Sequence, residues 1–379
     1  MHRLFLLVLI LALLAYSIPC AAAPSSEVVS IPPEVSAASH VLMDAGSGTI
    51  LSEKDADVRR PMASTTKIMT ALLALEMLDP EYVVTVPQAA VGVEGSSIYL
   101  YCGERITVRT LLYALMLSSA NDAAVALAIA ASGSVEAFAT QMNAKAAELG
   151  LSDTHFCNPN GLHDDAHYTT ARDLARLTAA ALANTAFAEL VATQRYTAPQ
   201  DGTKATRLFL NHNRLLRTLD GAIGVKTGFT RAAGRCLVSA AQRDGLTLIA
   251  VTLHASDDWR DHTALMEWGF STYRRFVSSP ASITVPVVSG TTGSVTLTPS
   301  GTLSLLLPRS GTQIECRLEA PHFLFGGFDA GEVKGKLVYY ANGKRVGDIP
   351  LVTACAVKST REANGISRFL SRIRQIFTD

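Results

Sequence analysis

The run from Thr107 to Ser132, TVRTLLYALMLSSANDAAVALAIAAS, is apolar almost throughout and limits the fold more than any other stretch of the chain. A helix that is apolar on every side has to be kept from water on every side. The run therefore predicts a helix or a helix pair inside a core, interrupted near Ser118 to Asp122. The chain can supply that core, since 379 residues of which 48% are hydrophobic suggest two domains rather than one. With 17% charged residues and a formal net charge of zero, no basic excess points to nucleic acid and no acidic run to disorder.

Around the central run, helical and strand-like segments alternate from His40 to about Ser278. HVLMDAGSGTILSEKDAD predicts a hairpin turning at Gly46, Ser47 and Gly48, and TTKIMTALLALEML a helix that stops at Asp79 and Pro80. CLVSAAQRDGLTLIAVTLHA predicts a second hairpin, with Asp244 and Gly245 in its turn. Residues 36–278 are thus expected to form an α+β domain, a sheet with helices on its faces. After Ser279 come short strand-like runs (ITVPVV, SVTLTP, LSLLLPR, IECRLEA, KLVYY, RVGDIPLV), with Asn342-Gly343 as a hairpin turn, so 280–355 are expected to be a small all-β domain.

The two ends carry different signals. Residues 1–23 hold Arg3, an apolar run from Leu4 to Ala15 and small residues from Cys20 to Ala23, the pattern of a secretory signal peptide. The apolar run is shorter than the roughly 20 residues of a membrane span. Pro19 fits poorly with lipid attachment at Cys20. Without this leader 33 basic residues become 32, against 33 acidic, and five cysteines remain, none in a CxxC pair. That pattern is neither a disulfide framework nor a zinc site. At the other end, residues 363–379 place Ile366, Phe369, Leu370, Ile373, Ile376 and Phe377 on one helix face beside Arg368, Arg372 and Arg374. Such a helix either packs on its own domain or lies on a membrane surface, and the second reading is taken here.

The chemistry concentrates in three short patterns. In RPMASTTKIMTALLALE, Ser64 precedes Lys67 by three residues, so the amine can reach the hydroxyl. A serine needs a base to become a nucleophile, and a lysine serves as one only when burial or a neighbouring cation keeps its amine neutral. Ser119-Ala120-Asn121 falls in the break of the central apolar run, and Lys226-Thr227-Gly228 joins a cation, a hydroxyl and a glycine on a strand-like segment. Of nine lysines only Lys67 follows a serine at that spacing, and of nine asparagines only Asn121 follows a serine two residues back. His163 and His167 share a helical spacing, but Gly161, Asp164 and Asp165 argue for a loop, and no glutamate completes a zinc-protease pattern. Asn158, Gly161, His167 and Arg172 are expected to lock that loop by hydrogen bonds. No metal or cofactor is implied.

The ordered trio S-x-x-K, S-x-N, K-T-G resembles the signature of penicillin-recognising serine enzymes. The chain is identified as a member of the serine D-alanyl-D-alanine carboxypeptidases, the low-molecular-mass penicillin-binding proteins of peptidase family S11. LMDAGSGTIL, FCNPNGLHDDAHYTTARDLARL and EWGF carry the resemblance beyond the trio. The resemblance implies a β-lactamase/transpeptidase-like domain followed by the β domain and the amphipathic helix. It implies a protein exported to the outer face of the cytoplasmic membrane and held there peripherally. Its substrates would be peptidoglycan stem peptides, and β-lactams its covalent inhibitors. In these terms Ser64 would attack the bond between the last two D-alanines, Lys67 would take its proton, and Ser119 would relay a proton to the leaving amine. Asn121 would hold Lys67 and the substrate amide. Lys226 would lower the pKa of Lys67 and attract the terminal carboxylate that Thr227 binds. Gly228 allows close approach, and the N–H groups of Ser64 and Phe229 would form the oxyanion hole. Arg260 sits where the family often has a carboxylate-binding arginine.

Other readings of the same residues are a DD-endopeptidase acting on wall cross-links, a β-lactamase, and a non-catalytic wall-binding scaffold. A class A β-lactamase uses a glutamate to activate water. Between Asn121 and Lys226 the only glutamates are Glu136, Glu148 and Glu189, none with an asparagine four residues on.

Overall fold

The structure is a computed structural model that describes residues 30–202 and 205–360. The expected leader and C-terminal helix lie outside the described residues. Ser30–Arg275 together with Leu305–Leu307 form one compact unit, and Phe276–Ser304 with 308–360 form another.

In the first unit the chain runs through β1 (Ser39–Asp44), β2 (Ile50–Lys54), a 3-10 turn (Ala63–Thr66) and α1 (Lys67–Met77). It continues through β3 (Val83–Thr85), β4 (Arg105–Thr107), α2 (Val108–Leu117), α3 (Asn121–Ser132) and α4 (Val135–Glu148). After α5 (Ala171–Leu182), α6 (Thr185–Ala192), β5 (Arg195–Pro199), β6 (Thr206–Leu210) and the short α7 (Leu215–Thr218) come the strands β7 (Ala222–Thr230), β8 (Gly234–Arg243) and β9 (Leu246–Ala255). The helix α8 (Asp258–Thr272) and β10 (Tyr273–Val277) follow.

The central sheet is antiparallel in the order β2-β1-β9-β8-β7, which leaves β7, with Lys226-Thr227-Gly228, at an edge. Successive side chains of a strand face opposite ways, and here they feed two cores. Val41, Met43, Val238, Ala240, Ile249, Val251 and Leu253 join the large core of α1–α6. Leu42, Leu237, Leu248 and Ala250 join a smaller one with Leu265, Met266 and Phe270 of α8. Asp244 (φ 48°) and Gly245 (φ 76°) make the β8–β9 turn, both in the left-handed region that such a two-residue hairpin requires.

The central apolar run is a helix pair, α2 and α3, as its composition predicts. Leu111, Leu115, Leu117, Ala124 and Leu127 are fully buried. At the break between them Ser119 takes φ 59° and Ala120 opens α3 without a side-chain cap, while the outer ends of the pair are capped. Thr107 caps α2 by accepting from the Thr110 N–H, and Gly133 closes α3 at φ 82°.

The second unit holds β11 (Ile283–Val288), β12 (Ser294–Pro299), β14 (Ile314–Glu319), β15 (Leu324–Phe325), β16 (Val333–Ala341) and β17 (Lys344–Thr353) in one six-stranded sheet around Leu297, Leu351 and Val357. Asn342 and Gly343, at φ 48° and 78°, turn β16 into β17, as their sequence predicts. One strand differs from expectation. LSLLLPR forms β13 (Ser304–Pro308), which pairs with β10 rather than joining that sheet.

One buried polar group crosses the layers of the first unit. His262 of α8 is fully buried, with its nitrogens 2.5 Å from Ser239 Oγ and 2.9 Å from Thr252 Oγ1. Burial, aided by the charge of His40, lowers its pKa to about 3. An unfolded histidine titrates near 6.5, so the neutral ring stabilises the fold fully above that pH, and the contribution is lost as pH falls from 6.5 toward 3. Acidification through this window should lower the melting temperature, and a His262→Gln variant, which cannot titrate, should show a shallower pH slope. An unchanged slope would contradict this assignment.

Candidate active site

The nucleophile candidate sits in the 3-10 turn that leads into α1, not on the α-helix itself. In a 3-10 turn residues three apart eclipse one another. The turn therefore sets Lys67, the first residue of α1, over Ser64, and Lys67 Nζ lies 2.9 Å from Ser64 Oγ. The amine is fully buried and donates to Asn121 Oδ1 (2.7 Å) and to the Asn160 carbonyl (2.6 Å). Both of those atoms can only accept. A neutral amine has two hydrogens and one lone pair, so with its hydrogens committed the lone pair faces the Ser64 hydroxyl. Burial first, and the Lys226 charge second, hold the Lys67 pKa well below 10.5, against an opposing effect of Asp122.

Two glycines close around this turn from opposite directions. A Cβ at Gly228 would lie 3.1 Å from Ser64 N and 3.2 Å from the Cβ of Ala63. A Cβ at Gly161, where φ is +86°, would lie 2.0 Å from the Ala63 carbonyl oxygen. Ala63 itself has φ 49°, a costly conformation for a residue with a side chain. The neighbouring loop holds it there. Thr70 donates to the Pro159 carbonyl (2.6 Å), Lys67 to that of Asn160, and Thr66 to that of Ala63 (2.8 Å).

His167 completes the clamp. Its Nδ1 accepts from the Cys157 N–H (3.0 Å), so the ring proton is on Nε2, which donates to Thr66 Oγ1 (2.7 Å). Burial is the main cause that lowers its pKa to about 4. Both nitrogens serve the loop and neither is left for a metal. Asn158 Oδ1 accepts from the Gly161 N–H (2.7 Å), as a loop lock should. Arg172 does not take part in the lock. Its guanidinium pairs with Asp57 and Glu53, each at 2.7 Å, because α5 directs it toward β2 and the loop that follows.

The second pattern lies at the α2–α3 break. Ser119 has φ 59°, is nearly buried and lines the cleft. Asn121 starts α3 and binds on three sides. It accepts from Lys67, its Nδ2 donates to the Glu94 carbonyl (2.6 Å) and its N–H to that of Ser96 (2.7 Å). Asp122 beside it takes Ser97 Oγ (2.6 Å) and the N–H groups of Ile98 and Leu100. These two residues fix segment 94–100 as one wall of the site.

An open cleft of about 350 Å³ is lined by Ser64, Ser96, Ser119, His212, Thr227, Gly228, Phe229, Arg235, Asp258 and Trp259. Lys67 and Lys226 lie behind its wall, 0% and 1% exposed. Burial lowers the Lys226 pKa to about 7, and its Nζ donates to the Thr227 carbonyl (2.9 Å). Arg260 is exposed on α8 and is not part of the cleft lining, which its neighbours Asp258 and Trp259 join instead. Helical geometry turns Arg260 about 100° away from Trp259. None of Glu136, Glu148 and Glu189 reaches the cleft.

Sequence reading missed Asp122, His212 and Arg235. For His212 a signal was present in Asn211-His212-Asn213. Both asparagines are buried, and each uses Oδ1 to accept a backbone N–H two residues on, which pins the loop.

Comparisons with known proteins agree with this geometry. Residues 26–257 match the family model described as D-alanyl-D-alanine carboxypeptidase. The D-alanyl-D-alanine carboxypeptidase DacF of Bacillus subtilis is 32% identical over 349 residues, which cover 89% of this chain and 88% of that one. The D-alanyl-D-alanine carboxypeptidase of a Streptomyces strain is 40% identical over 63% of this chain and 89% of its own length. The crystal structure of penicillin binding protein 5 from Haemophilus influenzae matches with a TM-score of 0.69 and 29% identity over 87% of this chain and all of that one. The chain belongs to the serine-type D-alanyl-D-alanine carboxypeptidase family.

Gly161→Ala should therefore fail twice, on backbone conformation and on the contact with Ala63. We expect a loss of about 2–4 kcal/mol in stability, with catalytic activity falling more than the folded fraction does. Wild-type activity in a folded Gly161→Ala protein would show that the clamp does not position the turn.

Proposed function

We propose that the protein removes the terminal D-alanine from peptidoglycan stem peptides by way of an acyl-enzyme on Ser64. The observation that carries this reading is the buried Lys67 nitrogen, 2.9 Å from Ser64 Oγ and bonded to the Asn121 oxygen and the Asn160 carbonyl, two acceptors that would take both hydrogens of a neutral amine and leave its lone pair to the Ser64 hydroxyl. Lys67 takes the Ser64 proton as Oγ bonds to the carbonyl carbon of the penultimate D-alanine. Negative charge then grows on the carbonyl oxygen. The N–H groups of Ser64 and Phe229 receive it, an arrangement supported by the close contact of Gly228 with the Ser64 nitrogen. The C–N bond breaks, the leaving amine receives the proton through Lys67 and Ser119, and D-alanine departs. Water activated by the same amine hydrolyses the ester and frees Ser64.

Asn121 holds the base in place and offers its remaining polarity to the substrate amide. Lys226 acts on Lys67 by its field, and Thr227 offers a hydroxyl to the substrate carboxylate. A β-lactam presents a strained amide in the same place and acylates Ser64. Wall peptides lie outside the cytoplasm. The apolar leader supports export, and the one-sided apolar spacing of residues 363–379 supports a peripheral position on the outer face of the cytoplasmic membrane.

Incubation with a tripeptide ending in D-alanyl-D-alanine should release free D-alanine. Ser64→Ala should abolish both that release and covalent labelling by fluorescent penicillin while the protein stays folded. Labelling that survives in Ser64→Ala would remove the nucleophile assignment. The acid limb of the acylation rate should report the loss of the proton from Lys67. Since Lys226 lowers that pKa, Lys226→Gln should move the limb to higher pH, and a shift to lower pH would contradict the role given to Lys226.

A further inference from the structure

We propose that Arg235, rather than Arg260, is the residue that grips the free carboxylate at the C-terminal end of the substrate. The inference rests on the carboxypeptidase reading above and adds a specificity-determining residue to it. Arg235 stands on β8 directly opposite Phe229 of β7, in the register that also pairs Thr227 with Leu237. Residues directly opposite in an antiparallel pair share a face, so Arg235 and Phe229 stand on the face that Thr227 also uses, and all three line the cleft.

Of the cations near the nucleophile, Arg235 alone among the described residues lines the open volume. Lys67 and Lys226 are sealed behind the wall, and a proton that Lys226 holds with a pKa of about 7 is only partly present at neutral pH. A guanidinium keeps its charge at every working pH and offers a planar pair of donors that matches a carboxylate.

The Arg235 guanidinium is also held only loosely. Arg59, Arg109, Arg172, Arg243 and Arg275 each meet a carboxylate at 2.5–2.8 Å. Arg235 stands 3.8 Å from Asp258, beyond hydrogen-bond reach, with its side chain 54% exposed. Asp258, 5% exposed at its side chain, spends one oxygen on the Trp259 N–H (3.0 Å). It biases the guanidinium toward the cleft without occupying its donors. A carboxylate entering beside Thr227 meets those donors first, so the residue on the leaving side of the scissile bond must carry a free carboxylate.

The test measures second-order acylation of the full chain by benzylpenicillin and by its carboxylate methyl ester. Wild type should favour the acid. Arg235→Gln should slow acylation by the acid roughly 10- to 100-fold, the scale of a charge-assisted hydrogen bond, and change the ester by no more than about 3-fold, the residual neighbouring effect within context variation. Arg235→Lys should recover part of the preference, and Arg260→Gln should keep the wild-type acid-to-ester ratio. Equal loss for acid and ester in Arg235→Gln would make the residue merely structural and overturn the proposal. So would a collapse of the ratio in Arg260→Gln alone. Failure of wild type to be acylated by either compound would instead overturn the carboxypeptidase reading on which the proposal rests.

Discussion

A lysine amine whose pKa burial holds well below the ordinary value, sealed inside the larger unit 2.9 Å from a serine hydroxyl, is the interaction on which the rest of the site depends. An ordinary lysine holds its proton at neutral pH and cannot act as a base. Burial removes the water that would stabilise the ammonium, and the Lys226 charge raises the cost further. Two acceptors that cannot themselves donate then fix where the hydrogens go. In the neutral amine what remains for Ser64 is the lone pair. This environment explains why the three patterns, far apart in the chain, have to meet: one supplies the amine, one the Asn121 oxygen, one the neighbouring charge.

The backbone is built to keep that amine in register. Ser64 lies in a short turn whose first residue, Ala63, occupies an unfavourable backbone conformation, and Gly228 from the sheet edge and Gly161 from the 158–167 loop approach the turn where no side chain fits. The sheet contributes rigidity because β7, though at its edge, is paired along its length to β8, which is paired to β9 in turn. Asn121 and Asp122, at the start of a buried helix, tie down the opposite wall. The cleft thus has two walls set by secondary structure and Ser64 held between them.

Much of this was legible in the sequence because it is local. Spacing alone put Ser64 beside Lys67, and composition alone put the Ser119–Asn121 break inside the core. The Asp244-Gly245 and Asn342-Gly343 turns follow from backbone preferences that need no tertiary context. What stayed hidden depends on contacts between distant segments. Gly161 is required by Ala63, 98 residues away. Arg235 reaches the cleft through strand register, whereas Arg260, placed by family resemblance, is turned outward by the helix that carries it. Arg172 pairs with Asp57 and Glu53, which no pattern near Arg172 announces. LSLLLPR reads as a strand, but only the fold decides which partner strand it meets.

The protonation state of Lys67 tests the account most directly. Carbon-13 labelling at lysine Cε, with the Lys67 signal assigned by its loss in Lys67→Arg, allows its titration to be followed by NMR in the resting enzyme. The account predicts a titration well below the ordinary lysine value of 10.5, with the neutral form present where the enzyme is active. A Lys67 signal that stays protonated up to the ordinary value would contradict it.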